Sequence, residues 1–265
     1  MNTIVHGGFT LTAGLLVALA SVTSACAGKS VAEQPSTAAS ATLPTAQPVA
    51  ADPRVGAIYV RGEHLCSGAV LDSPAGDLIL TAGHCAGMGP DETFVAGLNG
   101  TVAPKDVWHI DTVYLDPRWI QFHDPMLDFA IARVSRDTGG SVEAYAGAGL
   151  QLETAPKPGT AVTLTGYGVG TGGGPVSCRA ITAAPVKGFP EADCAQMLDG
   201  TSGAPWMVGA TVAGVIGGLD SGGCEGQTVN YSAPFGDDIK RLLARAETGG
   251  PGDAAPQVDG DAGCS

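Results

Sequence analysis

The chain has 265 residues, a formal net charge of −13, only 15% charged residues, 40 glycines and 18 prolines. That length is enough for one large domain or two small ones with a sizeable core, and a composition so poor in charge and rich in Gly and Pro excludes a helical bundle in favour of many short strands joined by turns. Acidic residues outnumber basic ones 26 to 13, so the field repels phosphate backbones; nucleic acid is excluded as a partner, and the charge reads as solubility outside a cell.

Phe9 to Ala25 is an uncharged, mostly apolar run, short for a membrane span, that meets small residues and then Cys26, as in a bacterial export signal over 1–26. Its n-region is atypical, since Met1 to Gly8 carries no Lys or Arg. Val22-Thr23-Ser24-Ala25-Cys26 resembles a lipobox, which would lipidate Cys26 and tether the protein to the outer face of the membrane. Ala25-Cys26-Ala27 also reads as a small-Xaa-small cleavage site, which would release a soluble product. Residues 27–53 are rich in Ala, Ser, Thr, Gln and Pro with almost no bulky side chains, and read as a disordered linker.

A folded domain is expected over 54–247, opening with a strand at Val55-Gly56-Ala57-Ile58-Tyr59-Val60. Phe129 to Val134 reads as a buried strand, and Gly166 to Gly174 as a strand exit and loop, because Gly172-Gly173-Gly174-Pro175 would break any helix that followed a phosphate cradle. Ile239, Leu242, Leu243 and Ala246 fall at helical spacing behind an acidic start at Asp237-Asp238, which predicts one amphipathic helix stopped by Gly249-Gly250. Residues 248–265 read as a flexible tail.

Seven cysteines in an exported chain suggest a disulfide framework with one left over. With Cys26 set aside, Cys66–Cys85 and Cys178–Cys194 each close a local loop, worth about 3 kcal/mol apiece, and Cys224–Cys264 is the remaining pair. Zinc ligation does not fit, since there is no close Cys-Xaa-Xaa-Cys pair and no His near the later cysteines; no metal is expected.

The chemistry is carried by two blocks far apart in the chain. Gly200-Thr201-Ser202-Gly203 sets a serine between glycines that let the backbone turn tightly enough to expose its hydroxyl, and that hydroxyl becomes a nucleophile only when an imidazole takes its proton. Thr81-Ala82-Gly83-His84-Cys85 supplies the imidazole. Together with His64-Leu65-Cys66-Ser67-Gly68-Ala69-Val70, Asp128-Phe129-Ala130-Ile131-Ala132 and Leu164-Thr165-Gly166-Tyr167-Gly168, these blocks over residues 54 to 247 resemble the trypsin/chymotrypsin superfamily of serine peptidases, in a bacterial branch.

That resemblance implies an all-β, chymotrypsin-like double β-barrel, with barrels at about 54–150 and 151–232 and a C-terminal α-helix. It implies a serine endopeptidase working through an acyl-enzyme, with His84 as general base, Asp128 holding its tautomer and Ser202 as nucleophile, and the N–H groups of Gly200 and Ser202 as oxyanion hole. Asp124 is the competitor for the aspartate but does not abut the strand. His64, His109, His123, Asp111 and Asp116 lack a catalytic setting. A protein or peptide substrate, a monomer and no cofactor complete the expectation.

Two rivals stand beside it: a catalytically silent binding protein on the cell surface, and an acyl hydrolase acting on esters with the same machinery. The chain departs from trypsin-like zymogens in having Thr201 where they carry an aspartate that pairs with a newly cut N-terminal amine. Residues 56–65 alone separate Val55 from Cys66, so the segment supplying such an amine is expected to be missing and Arg54-Val55 is not an activation site. For specificity the resemblance puts Gln196, Gly217 and Leu219 at the substrate pocket. Gln196 does not support a preference for Lys or Arg, Ile216 does not support one for Glu, and Leu219 points to small or medium apolar side chains.

Overall fold

The computed structural model describes residues 43–89, 91–223 and 228–256. The export signal, Cys26 and the Cys224–Cys264 pair lie outside the described residues. A short strand β1 (Gln47–Pro48) precedes β2 (Val55–Val60), β3 (Glu63–Val70), β4 (Leu78–Thr81), β5 (Glu92–Ala96), β6 (Val107–Leu115) and β7 (Ala130–Ser135). Strands β2 to β7 close into an antiparallel barrel in the order β2-β3-β4-β7-β6-β5. Two of its strands are buried almost throughout: Leu-Ile-Leu-Thr of β4 at every position, and β2 at five of its six. Such runs suit strands covered on both faces. Phe94 fills the interior, and Gly56 makes room for it, since a Cβ there would stand 2.4 Å from the ring.

The second half contains β8 (Gln151–Leu152), β9 (Ala161–Tyr167), β10 (Pro175–Ile181), β11 (Glu191–Asp193), β12 (Pro205–Val208), β13 (Thr211–Val215) and β14 (Val229–Tyr231). They form a six-stranded sheet, β1-β10-β9-β12-β13-β8, and a two-stranded β11-β14 ribbon. Val162, Leu164, Ala180, Ala192, Ala204, Trp206 and Ile216 make its core. The expected all-β fold with a C-terminal helix is present; the first of the two expected barrels closes, and the second half pairs as this sheet and ribbon. Two short helices carried no periodic signal: α1 (Pro117–Phe122) connects β6 to β7 within the first barrel, and α2 (Val142–Ala146) lies between the two halves in sequence. They begin at Asp116 and Ser141, whose side chains accept main-chain N–H groups as N-caps.

The C-terminal helix α3 (Asp237–Thr248) buries Ile239, Leu242 and Ala246, as their spacing predicts, and packs on β6 and β7. Its acidic first turn suits the positive end of the helix dipole, and Arg133 Nη2 donates to Ala246 O at 2.6 Å near its C-terminus.

Both ends of the domain extend further than the sequence reading placed them. Residues 43–53, read as part of the linker, are ordered: β1 pairs with β10, Ala46 N–H donates to Ala195 O at 2.8 Å, and Ala46 is buried. Part of the stretch ahead of Val55 thus forms the edge strand of the second sheet. The signal was weak because a two-residue edge strand is too short to show a periodicity. Arg54 is ion-paired with Asp52 at 2.6 Å. Residues 251–256, read as part of the tail, return to the first barrel: Asp253 N–H donates to Val113 O at 2.8 Å, and its carboxylate accepts from Leu115 N–H and Arg245.

Candidate active site

His84 sits on a 3-10 turn, Gly83–Cys85, at the end of β4. The Cys66–Cys85 disulfide ties that turn back to β3. Asp128 follows a second 3-10 turn, Pro125–Leu127, capped by the Asp124 side chain, which accepts from Met126 N–H at 3.0 Å. The rival carboxylate is thus occupied as a cap, and Asp128 is the one aimed inward, at 1% exposure.

Three donors converge on that carboxylate. Oδ1 accepts from His84 N–H at 2.9 Å, and Oδ2 pairs with His84 Nδ1 at 2.8 Å and accepts from Gly218 N–H at 2.7 Å. An ionised carboxylate can only accept, so Nδ1 carries the ring proton and Nε2 of the neutral ring is left with a lone pair. Gly217 and Gly218 come from the second half of the chain. Gly217 presses on the carboxylate, where a Cβ would stand 3.0 Å from Oδ2. For Asp128, burial favours the neutral acid, but the His84 charge and the hydrogen bonds outweigh it and hold the pKa below the usual value. For His84, burial works against protonation, yet the Asp128 charge and hydrogen bond prevail and the pKa rises.

Ser202 lies in the loop between β11 and β12. Its carbonyl accepts from Ser67 N–H at 2.7 Å, and Gly203 N–H donates to Ile216 O at 2.7 Å. Gly203, at φ +78°, lies so close to the stretch before His84 that a Cβ would stand 2.2 Å from Thr81 Oγ1 and 3.0 Å from Ala82 N. The fold thus brings the serine loop against the His84 turn; His84 and Asp128 are hydrogen-bonded, while Ser202 Oγ makes no hydrogen bond to the imidazole.

Two peptide orientations fix the N–H groups of this loop. Val169 N–H donates to Asp199 O at 2.7 Å, and Ala204 N–H donates to Thr201 O at 2.9 Å. In a trans peptide the C=O and N–H point oppositely, so Gly200 N–H and Ser202 N–H face away from those partners. Among the described residues neither N–H donates to a protein acceptor. Gly200 is at φ +89°, and a Cβ there would meet His64 Cε1 at 2.8 Å and Tyr167 O at 3.0 Å, so only glycine fits. Thr201 is buried, its Oγ1 donating to Leu198 O at 2.7 Å.

A small cavity of about 40 Å³ adjoins Ser202, lined among others by Met197, Leu198, Thr201, Ile216 and Asn230. Of the three pocket residues expected, Gln196 is the exposed neighbour of Met197 and Gly217 is taken up against Asp128; Leu219 opens the 3-10 turn Leu219–Gly222, and none of the three is among the lining residues. The loop after Gly217 bends through positive φ at Gly218, Asp220, Ser221 and Gly222.

The other histidines have local duties. His64 lies near Cys66 O, with Nε2 at 3.0 Å, and burial lowers its pKa, only partly offset by that contact. His123 caps α1 in the left-handed region. His109 is exposed beside Asp137. Cys66, His84 and Cys85 lie close enough to suggest a metal site, but the two sulfurs are joined to each other and are not thiolate ligands. Cys178 and Cys194 are also bridged. Two contributors escaped the sequence reading, Ser67 and the N–H of Gly218, because their partners lie 133 and 90 residues away in the chain.

A sequence model of the trypsin family matches residues 45–235. No curated protein matches the chain by sequence. Among solved structures, the protease Anisep from Arthrobacter nicotinovorans is similar at 21% identity and a TM-score of 0.67, covering 77% of this chain and all of that one. A Glu endopeptidase is similar at 17% identity and a TM-score of 0.63, covering 77% of this chain and 97% of its own. Human heparin binding protein is similar at 16% identity and a TM-score of 0.64, covering 79% and 99%. At these identities the likeness is one of fold.

Proposed function

Because this chain belongs to the trypsin family, we propose that it is a serine endopeptidase that cleaves peptide bonds through an acyl-enzyme, with His84, Asp128 and Ser202 as its catalytic residues. The observation that carries this reading is the 2.8 Å pairing of His84 Nδ1 with a buried Asp128, because it leaves the Nε2 lone pair as the base on the side of the serine loop.

In the proposed reaction Ser202 Oγ attacks the carbonyl carbon and its proton passes to His84 Nε2. The resulting oxyanion is received by the N–H groups of Gly200 and Ser202, which have no acceptor of their own to give up. His84 then returns the proton to the leaving amine, the C–N bond breaks, and an ester to Ser202 remains. Water, deprotonated by His84, hydrolyses that ester and restores the hydroxyl. Asp128 stays ionised and stabilises the imidazolium. The cavity beside Ser202 supports a small side chain ahead of the cleaved bond. Two disulfides support an oxidising, exported setting.

The test is intact mass after exposure to a fluorophosphonate, with Ser202→Ala alongside, followed by a peptide library. One adduct that the variant lacks, with peptide cleavage, supports the reading. No adduct on folded protein favours the silent binding protein, and ester turnover without peptide turnover favours the ester hydrolase.

A further inference from the structure

Ser67 is fully buried on β3 and uses every polar group it has on the serine loop and its surroundings. Its N–H donates to Ser202 O at 2.7 Å, and its Oγ–H donates to Gly200 O at 2.9 Å. The same Oγ accepts from Tyr167 N–H at 2.9 Å, and its carbonyl accepts from Thr81 Oγ1 at 2.7 Å. One residue of the first barrel therefore joins the strand leading to His84, the Tyr167 corner and both ends of the Gly200–Ser202 segment.

Nothing charged does this work. Among the described residues no salt bridge reaches 197–203, and Thr201 spends its hydroxyl on Leu198 O. The orientation of the Gly200–Thr201 peptide, which separates the two unpartnered N–H groups, has the Ser67 hydroxyl as its side-chain anchor. A loop of three residues with a glycine at φ +89° has other conformations open to it, and an anchored carbonyl selects among them.

We infer that Ser67 is a positioning residue that, by anchoring the Gly200–Thr201 peptide between them, helps to keep Gly200 N–H and Ser202 N–H turned towards the reacting carbonyl. This rests on the peptidase reading above and adds what positions that site: the loop is held by a neutral hydroxyl contact.

The test compares the wild type with Ser67→Ala and Ser67→Gly, using a peptide aldehyde built on the sequence the library selects and the matching peptide alcohol. The aldehyde adds Ser202 and forms an oxyanion; the alcohol cannot. The expected result is a 10- to 100-fold loss of aldehyde affinity and of kcat in both variants, below the full loss of about 100- to 1000-fold for deleting a donor outright, with alcohol affinity and KM within about threefold. Ser177→Ala is the control, since Ser177 makes comparable hydroxyl bonds to Thr165 Oγ1 and Leu164 O away from the loop; it should lower Tm and leave the aldehyde-to-alcohol ratio unchanged. The Gly variant, which leaves space for water in place of the hydroxymethyl, serves if the Ala variant does not fold. A wild type that binds the aldehyde, with variants whose ratio is unchanged, overturns this inference alone. A wild type that binds no aldehyde and takes no fluorophosphonate overturns the peptidase reading and this inference with it.

Discussion

Asp128 holds His84 at two points, the ring Nδ1 through Oδ2 at 2.8 Å and the main-chain N–H through Oδ1 at 2.9 Å. The pairing fixes both the tautomer and the position of the turn that carries it. Asp128→Asn keeps the shape but removes the charge, and it presents an amide that can turn a donor towards Nδ1. On the proposed mechanism we expect kcat to fall by about 10⁴-fold, the loss this change causes in a Ser-His-Asp triad, with a Tm change of a few degrees. Stopped-time peptide assays and thermal unfolding on the same preparation check this; a loss below tenfold would remove Asp128 from the mechanism.

The pH dependence follows from the same pair. His84 acts as a base only when neutral, and its pKa is raised. The acid limb of kcat/KM should therefore lie above pH 6.5, the ordinary histidine value, with activity rising as pH climbs through it. A pH–rate profile with its acid limb below 6 would contradict the ion pair.

Glu92 provides a pH effect on stability. It is buried with Oε2 accepting from Gly87 N–H and Oε1 unpartnered, and burial pushes its pKa up to about 7. The folded state thus binds a proton that the unfolded chain has lost above about pH 4.5. Stability from this group is full below the unfolded value and is lost as pH rises towards and through 7, by up to about 3 kcal/mol. Glu92→Gln should flatten the change in unfolding free energy between pH 5 and 8 in urea titrations; an unchanged slope would assign that change to other groups.

Gly203 has no room for a side chain. At φ +78°, with Thr81 Oγ1 2.2 Å and Ser67 O 2.3 Å from a virtual Cβ, Gly203→Ala combines left-handed strain with overpacking, a cost of about 3 kcal/mol. We expect a clear drop in Tm together with loss of fluorophosphonate labelling. Wild-type labelling in this variant would show that the serine loop does not depend on its contact with the His84 turn.

The segment after α3 is structural. Asp253 receives Leu115 N–H at 2.8 Å and both contacts of Arg245 Nη2. Asp253→Ala should cost about 1–2 kcal/mol and lower Tm by about 2–8 °C, with kcat unchanged. Proteolysis that trims the variant back to α3 while sparing the wild type is the complementary readout.

The residue types proposed as catalytic stood out in the sequence because the pattern around each is local: a serine between glycines, a histidine before a cysteine, and an aspartate before an apolar strand. Two strands of the first barrel were legible, Val55–Val60 and the one after Asp128, where burial on both faces demands an apolar run. The chain also determined by itself that α3 would be amphipathic, since Ile239, Leu242 and Ala246 recur at the helical period.

What the tertiary structure alone decided depends on pairings across long stretches of chain. Ser67 has no distinguishing neighbours; its place at the serine loop exists only because β3 abuts a segment 133 residues later. Gly218 meets Asp128 across 90 residues. Residues 43–49 show no alternating pattern and gain a strand by pairing with the open edge of β10, and 251–256 are held by β6 and by Arg245 of α3. A local pattern encodes what a side chain can do and which face it buries, whereas closing two β units against each other sets which backbone groups find partners and which are left free for a substrate.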